Sequence, residues 1–104
     1  MKEITVVELK ARLDAGDDIQ IIDIRESNEY DYCNIGAQHI PMGEIMENLE
    51  LLAKDKDVVL HCKSGGRSGA MTQALMTRGY ANVINLTGGI LAWADQIDPS
   101  IPKY

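Results

Sequence analysis

A cysteine opens a short glycine-rich segment that also carries two cations, Cys62-Lys63-Ser64-Gly65-Gly66-Arg67-Ser68. Adjacent glycines permit positive φ and remove side-chain bulk, so successive backbone amides can turn inward and form a concave nest for an anion. A helix that begins near Arg67 would direct about half a positive charge at the same point. The spacing therefore predicts an anion site that includes the sulfur of Cys62.

The same groups favour the charged form of this cysteine. Backbone amides, a helix dipole and the cations Lys63 and Arg67 all stabilise a thiolate relative to a thiol. We therefore expect Cys62 to be an ionised nucleophile near neutral pH. The structural alternative is an inert cysteine at a strand end, because free cysteine is often buried. Arg67, Ser68 and the strand, loop and helix context favour the nucleophile.

The elements that must position this loop alternate between strands and helices. Thr5 and Glu8 predict a capping box at the start of a first helix. Apolar patterning predicts strands at 19–24, 40–41, 58–61 and 83–86, and helices at 6–15, 27–30, 43–52, 67–78 and 89–96. Such alternation implies a parallel sheet covered by helices on both faces. Ligands of these sheets bind beyond the carboxyl ends of the strands, and Cys62 directly follows such an end.

The bulk composition limits the partners. The 104 residues have the length and composition of one globular domain, 1–104. A net charge of −6 repels nucleic-acid phosphates and anionic lipid surfaces, so we expect neither nucleic acid nor a membrane as a partner. Because the same charge repels a small anion, attraction must come from local groups. No Cys/His pairs stand at ligand spacing, so we expect no metal and no other cofactor.

The sequence carries no signal for export or membrane insertion. Residues 1–5 lack the apolar core of a signal peptide, and no apolar run approaches the roughly 18 residues of a membrane span. We therefore expect a cytoplasmic, reducing environment. The two cysteines, Cys33 and Cys62, stand in unrelated surroundings and do not suggest a disulfide framework.

Further motifs extend along nearly the whole chain: Ile22-Asp23-Ile24-Arg25-Glu26, Glu29-Tyr30, Gly36-Ala37, Ile40-Pro41, Val59-Leu60-His61-Cys62 and Leu86-Thr87-Gly88-Gly89-Ile90-Leu91-Ala92-Trp93. Together with the Cys62 loop they resemble the rhodanese family of sulfurtransferases. The resemblance implies a rhodanese-like three-layer α/β sandwich, in which a five-stranded parallel sheet has helices on both faces. It also implies a single catalytic domain.

The implied reaction is a two-step sulfur transfer. Cys62 attacks the outer sulfur of a small anionic donor such as thiosulfate and becomes a persulfide, and a thiol, protein or cyanide acceptor then removes that sulfur. The amides from Lys63 to Ser68 would hold the donor and the persulfide as charge shifts. Arg67 and Lys63 are the candidates for orienting the sulfonate.

Two other functions stay open at this point. His61-Cys62 followed by Arg67-Ser68 also resembles the His-Cys-x5-Arg motif of cysteine-dependent phosphatases and arsenate reductases. Only four residues separate Cys62 from Arg67, however, whereas a phosphatase loop needs five to wrap a tetrahedral phosphate. The other possibility is a module that carries or binds a persulfide for a partner protein without turnover.

Four residues near the predicted site are expected to support it. By resemblance, Asp23, Arg25 and Glu29 hold neighbouring loops by hydrogen bonds and ion pairs rather than acting in catalysis, in line with the usual pairing of buried charges. His61 precedes the nucleophile, and adjacent side chains of a strand point to opposite faces. We therefore expect His61 to support the loop or adjust the pKa of Cys62 rather than transfer a proton directly.

Cys33 marks a departure from the family pattern. Family members commonly carry Gly-His-Ile-Pro-Gly-Ala in this region, whereas this chain reads Cys33-Asn34-Ile35-Gly36-Ala37. The details of that loop are therefore not carried over. Cys33 could be a resolving cysteine that attacks the persulfide, and simple packing is the alternative.

Overall fold

The computed structural model describes all 104 residues, and its centre is a five-stranded sheet. The strands are β1 (Glu3–Ile4), β2 (Gln20–Asp23), β3 (Gln38–His39), β4 (Val58–His61) and β5 (Val83–Leu86). All neighbours are parallel, in the order β1-β5-β4-β2-β3. The expected five-stranded parallel sheet is confirmed. All strand carboxyl ends, including the end of β4 before Cys62, therefore lie at one edge.

The α-helices are α1 (Val6–Asp14), α2 (Ser27–Tyr32), α3 (Gly66–Thr77) and α4 (Gly89–Gln96). The first begins at the predicted capping box. The Thr5 hydroxyl oxygen accepts a hydrogen bond from the Glu8 amide at 3.1 Å, and the Glu8 carboxylate accepts one from the Thr5 amide at 2.9 Å. None of the helices combines the length and apolar content that a bilayer crossing needs.

Apolar side chains form a separate core on each face of the sheet. One core packs α3 against the sheet and includes Leu60, Cys62 and Leu75, and the other packs α1 and α4 and includes Val59 and Trp93. Successive residues of β4 alternate between these two cores, as the period of a strand requires. Cys62 therefore faces α3, and His61 faces the opposite side of the sheet.

The helix predicted at 43–52 was wrong. This segment forms two 3₁₀ helices instead, at Met42–Glu47 and Leu49–Leu51. The reason lies at Asn48, whose side-chain amide donates to the carbonyl of Glu44 at 2.7 Å, while its backbone amide donates to the carbonyl of Ile45. The Asn48 side chain thus takes the carbonyl that an α-helix would offer to the Asn48 backbone amide.

One strand prediction was also misplaced, and one strand was not predicted. The strand expected at 40–41 lies at Gln38–His39, because Pro41 has no amide hydrogen to donate to a ladder. The edge strand β1 was not recognised, since two residues are too short to show an alternating pattern. Its pairing is clear in the structure, where the amide of Thr87 donates to the carbonyl of Ile4 at 2.9 Å.

Replacement of Leu60 should test how much the core on the α3 side supports the fold. Leu60 has 0% exposure, and Leu60→Ala should lower the free energy of unfolding by about 3 kcal/mol, because the cavity cannot collapse completely. Urea denaturation measures the change. Val7→Ala, at a site 56% exposed, is the control and should stay within about 0.5 kcal/mol of wild type.

Candidate active site

The sulfur of Cys62 is surrounded by hydrogen-bond donors. The residue is 1% exposed at the carboxyl end of β4. Its Sγ lies 3.1 Å from the Gly65 amide nitrogen, 3.5 Å from the Ser68 amide nitrogen and 3.4 Å from Ser68 Oγ. Gly65 has φ of +105°, a conformation that side chains rarely adopt, and this turn directs the amides inward. Four groups of the loop thus meet: one sulfur and three donors.

The first turn of α4 fixes the outer side of this loop. The amide of Ile90 donates to the carbonyl of Cys62 at 3.0 Å, and the amide of Leu91 donates to the carbonyl of Lys63 at 3.1 Å. A Cβ on Gly89 would lie 2.6 Å from both carbonyl oxygens, so only glycine permits this approach. The Lys63 carbonyl shares its peptide with the Ser64 amide, so its contact with α4 directs that amide toward the sulfur. Sequence reasoning assigned the last helix to packing and missed this contact.

Opposing effects act on the pKa of Cys62. Burial raises the pKa of the thiol, whereas hydrogen bonds from the Ser68 hydroxyl and from the amides of Ser68, Gly65 and Ser64 lower it. The donors prevail, and the pKa lies below its ordinary value. The exposed side chain of Ser64 makes no contact with the sulfur, so this residue acts only through its amide.

Asn85 is a buried residue of the site that sequence reasoning missed. Its Oδ1 accepts a hydrogen bond from Ser68 Oγ at 2.6 Å, and its Nδ2 donates to the carbonyl of Gly65 at 3.2 Å. A serine hydroxyl has only one proton, so Ser68 donates either to Asn85 or to Cys62. The shorter bond favours Asn85 while the sulfur is a thiol, and a thiolate attracts the proton more strongly. An amide within a buried apolar strand was the available signal.

The two cations of the loop have different surroundings. Arg67 forms a bidentate ion pair with Glu29, with distances of 2.7 and 2.9 Å between guanidinium nitrogens and carboxylate oxygens. This contact raises the pKa of Arg67 and, chiefly through the Arg67 hydrogen bond, lowers the pKa of Glu29 to about 2. Lys63 makes no ion pair, and its ammonium lies 4.5 Å from the centre of the Tyr104 ring.

Asp23 and Arg25 form a fully buried ion pair at the edge of the site. Arg25 Nη2 lies 2.7 Å from Asp23 Oδ2, and Nε lies 3.0 Å from Asp23 Oδ1. The remaining guanidinium hydrogens reach the hydroxyl of Tyr104 at 2.9 Å and the carbonyls of Cys33 and Glu29 at 2.7 and 3.4 Å. Arg25 therefore connects the end of β2, both ends of α2 and the segment around Tyr104. Sequence reasoning also missed Tyr104, because its neighbours in the sequence do not indicate a contact with Arg25.

His61 lies behind the loop rather than beside the sulfur. It has 0% exposure; Nδ1 is 3.2 Å from the carbonyl oxygen of Cys62, and Nε2 is 3.5 Å from Asp23 Oδ2. Burial lowers the pKa of His61, so the neutral form is favoured despite the nearby carboxylate. In this form Nδ1–H donates to the Cys62 carbonyl. The ring contacts the backbone of Cys62 and faces away from its sulfur.

Cys33 and Cys62 are both free thiols in this structure. Cys33 Sγ lies 3.8 Å from the carbonyl oxygen of Pro102, and Cys33 is only partly exposed. No group of three or more His, Cys, Asp or Glu side chains could hold a metal ion.

Removal of the Ser68 hydroxyl tests which acceptor holds its proton. Ser68→Ala should raise the pKa of Cys62, because the thiolate loses the hydroxyl whose hydrogen bond lowers this pKa most. The pH dependence of Cys62 alkylation by iodoacetamide measures this pKa. Ser64→Ala is the matched control and should leave it unchanged. An unchanged pKa in Ser68→Ala would show that the proton stays on Asn85.

The pair of Glu29 and Arg67 should make stability depend on pH. The pKa of Glu29 is depressed from 4.5 to about 2 in the folded protein. Its contribution to stability is therefore complete above about pH 4.5 and is lost as the pH falls toward 2. Glu29→Gln should be less stable than wild type at neutral pH, and urea titrations should show this difference shrinking across that interval. The exposed Glu47 supplies the control, Glu47→Gln, which should keep the wild-type pH profile.

Comparisons with known proteins give consistent results. The family model named Rhodanese-like domain matches residues 5–96. A protein of Allochromatium vinosum named "Sulfurtransferase" is 40% identical over 95 residues, which cover 90% of this chain and 89% of that protein. The "Probable adenylyltransferase/sulfurtransferase MoeZ" of Mycobacterium tuberculosis is 40% identical over 104 residues. That match covers 97% of this chain, which spans only 26% of the length of MoeZ.

The fold comparison agrees. A crystal structure of a rhodanese-like domain protein from Staphylococcus aureus superposes with a TM-score of 0.84 at 31% identity. The superposition covers 100% of this chain and 99% of the other. The family model covers the whole Cys62 loop and every strand from β2 to β5. The chain therefore belongs to the rhodanese-like domain family.

Proposed function

We propose that the protein is a sulfurtransferase that moves a sulfane sulfur from an anionic donor such as thiosulfate to a thiophilic acceptor, through a persulfide on Cys62. The observation that carries the proposal is the environment of Cys62 Sγ, where two amides and one hydroxyl converge within 3.5 Å. Relatives that are named sulfurtransferases support it. The whole reaction is assigned to one domain, residues 1–104.

In the first step the Cys62 thiolate attacks the outer sulfur of thiosulfate. A new S–S bond forms to Cys62, the S–S bond of the donor breaks, and sulfite leaves with the bonding electrons. Negative charge moves from Sγ to the outer sulfur of the persulfide. The amides of Gly65 and Ser68 lie close to Sγ and can stabilise the negative charge as it shifts. Preorganised donors of this kind lower the activation barrier of the transfer.

In the second step an acceptor attacks the outer sulfur of the persulfide. A thiol or a protein thiolate becomes a persulfide, or cyanide becomes thiocyanate, and the Cys62 thiolate is regenerated as the leaving group. The donors that lower the pKa of Cys62 make this departure easier. The cycle needs no oxidant, because sulfur is passed on without net oxidation of Cys62. It does require a reduced cysteine, and we therefore propose a cytoplasmic location.

Loop length argues for sulfur rather than phosphate as the transferred group. Only four residues, 63–66, lie between Cys62 and Arg67, and the Arg67 guanidinium is held by both carboxylate oxygens of Glu29. A phosphatase would use this arginine to bind two phosphate oxygens, in competition with Glu29. A sulfane sulfur is smaller, and the amides close to Sγ are sufficient to hold it.

Thiocyanate formation from thiosulfate and cyanide tests the proposal. Wild type should turn over repeatedly, whereas Cys62→Ser should fall to background, because a hydroxyl cannot form the persulfide. Cys33→Ser is the matched control and should retain activity, since its sulfur lies against Pro102.

Two further measurements separate the alternatives. Hydrolysis of an aryl phosphate without thiocyanate production would overturn the sulfurtransferase proposal in favour of a phosphatase. Intact mass after treatment with thiosulfate alone should show the gain of one sulfur on wild type and none on Cys62→Ser. A stable gain of one sulfur that cyanide does not remove would instead identify a carrier that needs its partner.

A further inference from the structure

The Cys62 loop contains one cation that is free to attract an anionic sulfur donor. Arg67 gives its guanidinium to Glu29 in a bidentate pair, so its charge is already compensated. Lys63 is partly exposed and forms neither an ion pair nor a side-chain hydrogen bond. The Lys63 ammonium instead lies 4.5 Å from the centre of the Tyr104 ring, at the distance of a cation–π contact.

Tyr104 contacts the start of the Cys62 loop directly and reaches the end of the loop through Glu29. Its ring supports Lys63 at the start of the loop. Its hydroxyl donates to Glu29 Oε2 at 2.6 Å, and Glu29 holds Arg67 at the end of the loop. The same hydroxyl accepts a hydrogen bond from the buried Arg25 at 2.9 Å. Two hydrogen bonds therefore fix the ring on which the ammonium rests.

We propose that Tyr104 is a positioning residue that holds the Lys63 ammonium at the mouth of the Cys62 loop, where this single uncompensated cation favours anionic sulfur donors. A free lysine side chain explores many rotamers and is surrounded by water, so its charge acts weakly on any one point. The aromatic face restricts the ammonium to one region. In a protein of net charge −6, such local attraction sets the preference between charged and neutral reagents.

The inference rests on the proposed function for the identity of the donor, but its test does not require sulfur transfer. Iodoacetate and iodoacetamide are nearly the same size and both alkylate the Cys62 thiolate with loss of iodide, yet only iodoacetate is an anion. The ratio of their two rates at one pH cancels any change in the pKa of Cys62. Peptide mass mapping separates the modification of Cys62 from that of Cys33.

Lys63→Gln should lower the ratio of the iodoacetate rate to the iodoacetamide rate by about two- to fivefold, the range that a cation–π contact at an exposed site represents. Tyr104→Leu should lower the ratio by the same factor, although it removes no charge. The ratio for the double variant should be no lower than that for either single variant, because both changes remove the same interaction. Tyr104→Phe keeps the aromatic face but loses both hydroxyl hydrogen bonds, so its ratio should lie between those of wild type and Tyr104→Leu.

Lys103→Gln is the matched control for loss of a surface charge. Lys103 is exposed and pairs with Asp95 rather than with the Tyr104 ring, so the ratio should stay at the wild-type value. A wild-type ratio in Tyr104→Leu, together with a lowered ratio in Lys63→Gln, would overturn the positioning role. A wild-type ratio in Lys63→Gln would overturn the role of the cation. If the Leu variant folds poorly, the Phe variant decides, because a wild-type ratio without the two hydroxyl hydrogen bonds would overturn the positioning role.

Thiosulfate kinetics supply the second readout. Both Lys63→Gln and Tyr104→Leu should raise KM for thiosulfate by the same two- to fivefold factor with kcat nearly unchanged, since the cation attracts the donor and does not touch the transferred sulfur. If wild type produces no thiocyanate, the proposed function fails while the alkylation ratio still decides the role of Tyr104. If kcat falls and KM does not, Tyr104 acts on the loop itself and the proposal fails.

Discussion

The site depends on two backbone hydrogen bonds between the first turn of α4 and the Cys62 loop. The amides of Ile90 and Leu91 bind the carbonyls of Cys62 and Lys63, and this contact decides which way the peptides of the loop face. A peptide whose carbonyl points outward presents its amide inward, so the peptide of the Lys63 carbonyl turns the Ser64 amide, one of the donors that lower the pKa of Cys62, toward the sulfur. Gly89 is indispensable for a steric reason, because any Cβ would collide with both carbonyls. The α4 segment is thus part of the candidate active site without contacting the sulfur.

This arrangement also explains how a protein of net charge −6 can hold an anionic sulfur. The groups closest to Sγ are neutral dipoles: the amides of Gly65 and Ser68 and one hydroxyl. Of the nearby cations, Arg25 is paired with Asp23 and Arg67 with Glu29. Fixed dipoles act over short distances and carry no net charge, so they stabilise a thiolate without altering the long-range field. The ion pairs serve to hold the surrounding segments in place.

Sequence patterns predicted the sheet and the loop because both depend on local signals. Four strands showed apolar runs, and the adjacent glycines before Arg67 indicated the turn that directs amides to Cys62. The helix expected at 43–52 failed because the Asn48 side chain competes with the backbone for a carbonyl, which apolar periodicity does not register. Asn85 and Tyr104 were missed because their roles depend on contacts with residues far away in the sequence. Such contacts are visible only after the strands have been placed in order.

The residues that make these contacts are far apart in the sequence, and this affects when the site forms during folding. The groups that direct the loop come from β5 and α4, which follow Cys62 in the sequence and can bind it only after β5 has joined the sheet. Until then the amides of the loop are not held around the sulfur, and the cysteine behaves as an ordinary thiol, with little thiolate near neutral pH. Reactivity therefore appears late in folding and disappears if β5 detaches. In a nascent or locally unfolded chain these contacts are absent, so the cysteine is less prone to oxidation and sulfur exchange than the thiolate of the folded protein.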